Sequence, residues 1–137
     1  MTQGGQSRMA IVFERTRPEL ETLADVVAGL RVAVLARCSA SEEVFPLVEE
    51  LRPNLLVVGL SASHGEGEGV AFLQQVRDRL PSLEVIVVSG SEDDAQIHGV
   101  LAAGADAYVL ATEDRDELAA AIRAALDRSM RKVSVRE

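Results

Sequence analysis

Residues 53–60 read Pro-Asn-Leu-Leu-Val-Val-Gly-Leu, and this stretch decides the fold. Its apolar residues follow one another directly instead of alternating with polar ones, which is typical of a strand covered on both faces of a parallel sheet. Four other short runs rich in Val, Ile or Leu have the same character. The predicted strands are therefore residues 9–13, 32–36, 55–60, 83–88 and 107–110.

Helical patterns separate these strands. Leu20, Leu23, Val27 and Leu30 are spaced to form one helical face. A second face runs over residues 70–80 and is stopped by Pro81, and residues 118–126 give the last helix its apolar stripe. Residues 61–69, which include three glycines, are predicted to form a loop.

Helix boundaries are indicated by caps and breakers. Ser91 with Asp94, and Asp114 with Glu117, have the spacing of capping boxes. Pro46 lies inside the second predicted helix, residues 41–51, so that helix either starts near Phe45 or is kinked there.

Strictly alternating strands and helices favour an α/β fold with a doubly wound parallel sheet, because such crossovers are right-handed and place helices on both faces. Binding sites of such sheets lie outside the carboxyl ends of the strands. Here those ends fall at residues 13–15, 59–61, 89–90 and 110–112.

The composition sets broad limits. A chain of 137 residues, 47% of them hydrophobic, fits one globular domain, which we place at residues 9–128. We expect residues 1–8 to form a disordered tail and residues 129–137 to form a basic tail or the start of a linker. The net charge of −8 argues against nucleic-acid binding by this domain. No apolar run reaches the roughly 20 residues needed to span a bilayer, so a cytoplasmic protein is expected.

Sequence patterns of known catalytic or metal sites are missing. Two histidines and one cysteine, Cys38, are far apart and give no metal-ligand spacing, and the single cysteine is interpreted as a small residue at a strand end. Ser61-Ala62-Ser63 has no paired base. We expect neither enzymatic activity nor a cofactor or metal.

Several segments together resemble the receiver domain of bacterial response regulators. The most specific is residues 102–110, Ala-Ala-Gly-Ala-Asp-Ala-Tyr-Val-Leu, and residues 52–55, 85–90 and 117–123 match as well. The resemblance runs from Met9 to about Arg128. It implies a flavodoxin-like (βα)5 fold with three αβα layers and strand order 2-1-3-4-5.

The resemblance also implies where phosphorylation chemistry should lie. An active receiver holds Mg²⁺ with two acids after the first strand and one aspartate after the third, and that aspartate accepts the phosphoryl group. A Ser or Thr after the fourth strand and a Lys after the fifth bind the phosphoryl oxygens. These positions are occupied here by Glu14, Arg15, Gly59, Ser89 and Ala111. Glycine has no side chain to phosphorylate, so the usual phosphoryl transfer is excluded.

Individual residues near this site allow more than one interpretation. Glu14 and Arg15 either form an ion pair that fills the metal position, or Arg15 points into water. His64, Glu66 and Glu68 either reach the site or belong to a solvated loop. Ser89 is interpreted as a strand-end hydroxyl bonded to nearby backbone, and His98 as solvent-facing. Tyr108, at the family's switch aromatic, is either a half-buried packing residue or a moving switch.

Our main hypothesis is a phosphorylation-independent pseudo-receiver that binds protein partners in bacterial two-component-type signalling. The expected surface is the fourth helix, fifth strand and fifth helix, which implies protein partners and, among them, a homodimer. The candidate interface residues are Asp93, Gln96, His98, Tyr108, Arg115 and Arg123.

Two alternatives stay open. One is an N-terminal receiver-like module of a longer transcription regulator or of a pilus-assembly ATPase. The other is a small-molecule sensor that binds at the carboxyl rim of the sheet, near Gly59, Ser89 and Ala111.

Overall fold

A computed structural model describes residues 8–60 and 66–136, excluding the side chains of residues 66, 67 and 129–136. The described chain forms one sheet of five parallel strands in the order β2-β1-β3-β4-β5, as expected from the resemblance. The strands are β1 Met9–Glu14, β2 Ala33–Cys38, β3 Leu55–Leu60, β4 Glu84–Ser89 and β5 Ala107–Leu110. The helices are α1 Arg17–Ala28, α2 Val44–Leu51 preceded by a 3-10 turn at Ser41–Glu43, α3 Glu66–Arg79, α4 Asp94–Ala102 and α5 Arg115–Arg136.

The sheet separates two apolar cores because successive strand residues point to opposite faces. Ile11 and Phe13 of β1 face the core that α2, α3 and α4 cover. Ala10 and Val12 face the core that α1 and α5 cover. The three central strands are almost completely buried, which confirms that their continuous apolar runs are covered on both sides.

The edge strand β2 departs from that prediction. Its residues alternate between exposed and partly buried, and Leu35 and Arg37 are exposed. The run at residues 32–36 is apolar, but at the edge of the sheet fewer neighbours are available to cover it.

Helix boundaries confirm some predictions and correct others. α2 begins at Val44, so Pro46 lies in the first turn, where proline costs no helical hydrogen bond. The predicted loop at residues 61–69 is wrong for residues 66–69, because α3 already begins at Glu66. The predicted Ser91 cap is also wrong: Asp93 is the N-cap of α4, and its carboxylate accepts from the N–H of Ala95 at 3.3 Å. Asp114 caps α5 as predicted, accepting from the N–H groups of Asp116 and Glu117.

Residues at both ends of the predicted domain, 9–128, are followed or preceded by residues that continue its structure. Arg8, assigned to the tail, is partly buried, pairs with Glu84 and donates to the carbonyl of Leu126 at 3.0 Å. Residues 1–7 lie outside the described residues. The backbone of residues 129–136, predicted as a tail or linker, continues α5. None of the described helices is long and apolar enough to cross a membrane.

Candidate functional site

The carboxyl rim of the sheet brings Glu14 and Gly59 side by side. They are direct partners in the parallel register of β1 and β3. A Cβ atom added to Gly59 would lie less than 3.0 Å from Oε1 of Glu14, and 3.1 Å from Cδ2 of Leu23. The Glu14 carboxyl therefore occupies the space that a side chain at position 59 would need.

Glu14 is almost fully buried, with 3% of its surface exposed. Its Oε2 accepts from the backbone N–H of Thr16 at 3.1 Å. Burial raises the pKa of this carboxyl above its ordinary value of 4.5, because the charged form is poorly solvated. The hydrogen bond from Thr16 lowers the pKa, whereas the nearby charge of Glu19 raises it further. The net direction is upward.

The raised pKa of Glu14 predicts how the free energy of unfolding depends on pH. A carboxyl with a raised pKa binds its proton more tightly in the folded than in the unfolded chain, so stability is lost as pH rises through the folded-state pKa. Glu14→Gln should therefore raise the free energy of unfolding at about pH 7.5 and change it much less at about pH 4, below the unfolded pKa. Urea unfolding at the two pH values measures the difference.

The control for this prediction is Glu50→Gln, which removes the same charge from an exposed position on α2. It should show no comparable pH-dependent stabilisation. A Glu14→Gln protein that is less stable than the wild type at neutral pH would mean that the buried charge is well compensated.

Arg15 turns away from Glu14. Its guanidinium pairs with the carboxylate of Glu68 on α3, and both side chains are about half exposed. Arg15 thus does not pair with Glu14, and it is exposed as the second interpretation expects, although it forms a surface ion pair. Among the three loop residues considered, Glu68 pairs with Arg15 and does not line the rim beside Gly59, whereas His64 and the side chain of Glu66 lie outside the described residues.

Ser89 and Tyr108 form a hydrogen-bonded network with the segment between β4 and α4. The Ser89 hydroxyl oxygen accepts from the N–H of Ser91 at 3.2 Å and from the Gln96 amide at 3.3 Å. Tyr108 is partly buried, and its hydroxyl donates to the carbonyl of Ser91 at 2.7 Å. Ser89 is thus bonded to nearby backbone, as predicted, and Tyr108 holds the same segment from the other side.

A pocket of about 320 Å³ opens beside these residues, between the first turns of α1 and α5. We call it the rim pocket. Its buried polar members are Glu14 and Ser89, and Gly59 and Ala111 lie in its wall. Both of these wall residues are smaller than the Asp and Lys that the family places there. The rest of the lining is Pro18, Glu19, Thr22, Leu23, Leu60, Val88, Gly90, Thr112 and Leu118.

The rim does not fit a divalent cation. Mg²⁺ requires several oxygen ligands in near-octahedral geometry. The resemblance implies acidic metal ligands at positions 14, 15 and 59, but only Glu14 carries a carboxylate. Arg15 brings positive charge to the same end of the sheet. In the described part of the chain, no group of three or more His, Cys, Asp or Glu side chains is placed to hold a metal.

The six candidate interface residues do not form one surface. Asp93, Gln96 and His98 lie on or next to α4, where His98 is exposed as predicted. Arg115 instead approaches Asp25 of α1 at 3.8 Å, and Arg123 donates to the carbonyl of Leu30, just after α1. The two arginines therefore face α1.

Cys38 is a buried strand-end residue. Burial, with a further contribution from the charge of Glu43, raises the pKa of its thiol to about 12. The reactive thiolate is therefore scarce at neutral pH, in agreement with a structural role.

Sequence reasoning missed the residues of α1 and α5 that complete the rim pocket. The apolar spacing identifies Leu23 and Leu118 as core-facing helix residues, but it gives no sign that they line a pocket, and nothing in the sequence singles out Glu19. The helical spacing shows which face of α1 and of α5 packs on the sheet, but it does not show where along the sheet each helix begins. One feature of the sequence indicates that their first turns lie at the rim: α1 and α5 begin only a few residues after β1 and β5 end.

Comparison with known proteins agrees with the resemblance seen in the sequence. The response regulator receiver domain model matches residues 14–123. The response regulator protein VraR of Staphylococcus aureus strain NCTC 8325 is 26% identical over 92 residues, which are 67% of this chain and 43% of that protein. The chain thus spans less than half the length of the curated relatives it matches.

Solved structures share the fold. The isolated REC domain of RcsB from Salmonella enterica serovar Typhimurium, determined with the phosphomimetic BeF3⁻, superposes with a TM-score of 0.74 at 19% identity, covering 89% of this chain and 90% of that one. A DNA-binding response regulator of the LuxR family from Staphylococcus aureus gives a TM-score of 0.70 at 19% identity, covering 86% and 98%. With the match of the family model over most of its length, the chain belongs to the response regulator receiver domain family.

Proposed function

We propose that this receiver domain works without phosphorylation and acts by binding protein partners in two-component-type signal transduction. The observation that carries the proposal is the Glu14 carboxyl in the space of the missing side chain at position 59. The phosphoacceptor position is thus not only without a nucleophile but is also filled. Ala111 supplies no cation for a phosphoryl group, and Arg15 is engaged with Glu68.

Glu14 is itself a poor substitute acceptor. An acceptor carboxylate must be ionised, whereas burial raises the pKa of Glu14 and disfavours its ionised form. Among the described residues that line the rim pocket, no cation lies beside it to offset the charge of an incoming phosphoryl group.

The test of phosphorylation independence uses acetyl phosphate and, separately, BeF3⁻, each with Mg²⁺. We expect no phosphoryl adduct by intact mass and unchanged amide NMR signals at Ser89, Ser91 and Tyr108. A receiver domain that retains its aspartate serves as the positive control. An adduct that appears on the wild type and disappears in Glu14→Gln would contradict the proposal and identify Glu14 as the acceptor.

The interaction surface that we propose is formed by α4 and the end of β5. Among the described large hydrophobic residues, Leu101 on α4 is 43% exposed and Leu110 at the end of β5 is 37% exposed. Tyr108 and His98 lie on the same two elements. Burying a fully exposed leucine contributes about 1.5–3 kcal/mol, so covering the remaining exposed part of Leu101 and of Leu110 contributes roughly 1 kcal/mol each, which suits a partner-binding surface.

A second copy of the chain is the partner that can be tested directly. Leu110→Glu should weaken self-association, measured by sedimentation velocity over a concentration series, by at least about tenfold. Leu35→Glu is the matched control, because Leu35 is also 37% exposed but lies on the opposite edge strand. Equal effects of the two substitutions would remove α4 and β5 as the interface.

A second candidate is a receiver module within a longer regulator. It is favoured by the matched region covering only 43% of the curated relatives. The length of the complete open reading frame tests this candidate, and a reading frame ending near residue 137 would contradict it.

A further inference from the structure

The ionisable groups that line the rim pocket carry charge of one sign. They are Glu14, which is buried, and Glu19, which is exposed in the first turn of α1. The described residues that line the pocket include no Lys, Arg or His. An anion entering the pocket would meet two carboxylates and no compensating cation, so phosphate-like ligands are disfavoured.

The remaining wall is largely aliphatic, with hydroxyl groups at Thr22, Ser89 and Thr112. Leu23, Leu60, Val88 and Leu118 are buried, while Pro18 is exposed. These side chains offer van der Waals contact to a hydrocarbon segment but no ligands for a hydrated inorganic ion. The volume of about 320 Å³ is at the low end for small-molecule sites and suits a ligand of roughly ten non-hydrogen atoms or fewer.

We infer that the rim pocket binds a small aliphatic ammonium compound, with the cationic group at Glu14 and the hydrocarbon chain against the leucines and the valine. The ammonium group donates hydrogen bonds to the Glu14 carboxylate, and the charge of Glu19 at the opening attracts the ligand. This inference gives a ligand class to the rim pocket and is independent of the proposed protein-binding surface on α4 and β5.

The energetics of Glu14 point to the same class. In the free protein, burial disfavours the charged form of this carboxyl, and the described residues that line the pocket include no cation to offset it. A bound ammonium group supplies that compensation, and charge-assisted hydrogen bonds are about twice as strong as neutral ones. A neutral ligand of the same shape gives no such compensation.

The experiment compares three probes of equal chain length by isothermal titration calorimetry and thermal shift: n-pentylammonium chloride, 1-pentanol and sodium pentanoate. We expect the wild type to bind pentylammonium more tightly than pentanol, and pentanoate least. Glu14→Gln should weaken pentylammonium binding by about 10- to 100-fold, the range of one hydrogen bond to a charged group. Glu50→Gln, which makes the same change in net charge on α2, should leave it unchanged.

A second variant keeps Glu14 and blocks the pocket. Ala111→Lys places a long cationic side chain in the wall and should abolish pentylammonium binding. Equal affinity for pentylammonium and pentanol, tighter binding of pentanoate, or no binding of any probe would each overturn the inference. So would equal losses in Glu14→Gln and Glu50→Gln, which would indicate nonspecific attraction to an acidic protein. None of these results bears on phosphorylation independence or on self-association.

Discussion

Gly59→Ala is expected to lower the free energy of unfolding by about 2 kcal/mol, within the range for adding a methyl group at a buried position with close contacts. A methyl group at this position overlaps Oε1 of Glu14 and comes within 3.1 Å of Leu23. The Glu14 carboxyl must then shift, which disturbs the hydrogen bond that its Oε2 accepts from the backbone N–H of Thr16. Chemical denaturation at neutral pH measures the loss.

The control is Gly90→Ala. Gly90 also lies at the rim, directly after β4, but a Cβ added there meets no atom within 4 Å. The change should stay within about 0.5 kcal/mol, as for other surface substitutions.

A double-mutant cycle isolates the contact between positions 14 and 59. In a Glu14→Ala background, most of the overlap with a Cβ at position 59 is gone. Gly59→Ala should then cost less than about 0.5 kcal/mol, which gives a coupling energy of about 1.5 kcal/mol. Additive effects would show that Glu14 does not fill the space beside Gly59.

The same geometry bears on attempts to restore phosphorylation. Gly59→Asp introduces a second carboxylate against Glu14 in a buried site, where like charges repel strongly. We therefore expect this variant to be destabilised by more than Gly59→Ala and to remain unphosphorylated.

Arg77→Met is expected to lower the free energy of unfolding by about 2–3 kcal/mol, the range for hydrogen bonds made by a charged group. The guanidinium donates to the carbonyls of Gly104, Pro81 and Leu83 at 2.5–3.2 Å. It also pairs with Asp106 at 3.2 Å. One side chain of α3 thus holds the turn before β4 and the turn between α4 and β5.

Part of the expected loss of stability comes from the turn at Gly104, which the Arg77 side chain supports. Its φ of +124° is a conformation that favours glycine, and the Arg77 side chain packs directly against it. Methionine keeps the length of the side chain, so the loss reports the guanidinium and not the packing. Because α4 and β5 form the proposed interface, the variant should also weaken self-association.

Arg79→Met is the matched control on the same helix. Arg79 lies 3.9 Å from the centroid of the Phe45 ring and should contribute only about 0.5–1 kcal/mol. Equal losses in the two variants would mean that the carbonyls around Arg77 are satisfied by water when the guanidinium is removed.

Several strand positions could be predicted because they depend on local patterns. The strands at residues 55–60 and 107–110 have the predicted bounds, since a continuous apolar run begins directly after a polar residue, Asn54 or Asp106. The start of α3 was missed because Gly67 and Gly69 suggest a loop, whereas the structure begins the helix at Glu66. Glycine opposes a helix only weakly, at about 1 kcal/mol, so packing can override it.

At the site, the missing phosphoacceptor was visible in the sequence, whereas its replacement was not. The register of β1 and β3 makes residues 14 and 59 neighbours, but it does not say whether a long side chain at one position will fill the space at the other. The same holds for Arg15, whose partner Glu68 is 53 residues away. Partners of long side chains depend on distances that residue order does not contain.

The amino-acid sequence by itself determined the order of strands and helices, which follows from hydrophobic periodicity, a local property of the chain. Matching segments such as residues 102–110 indicated the family, and residue identity gave the glycine at position 59, where the resemblance implies an aspartate. Only the tertiary structure decided that the Glu14 carboxyl fills the resulting space, that Arg115 and Arg123 face α1, and that a pocket remains beside Ala111. Each of these depends on which side chains meet across the sheet, and such contacts are set by three-dimensional packing.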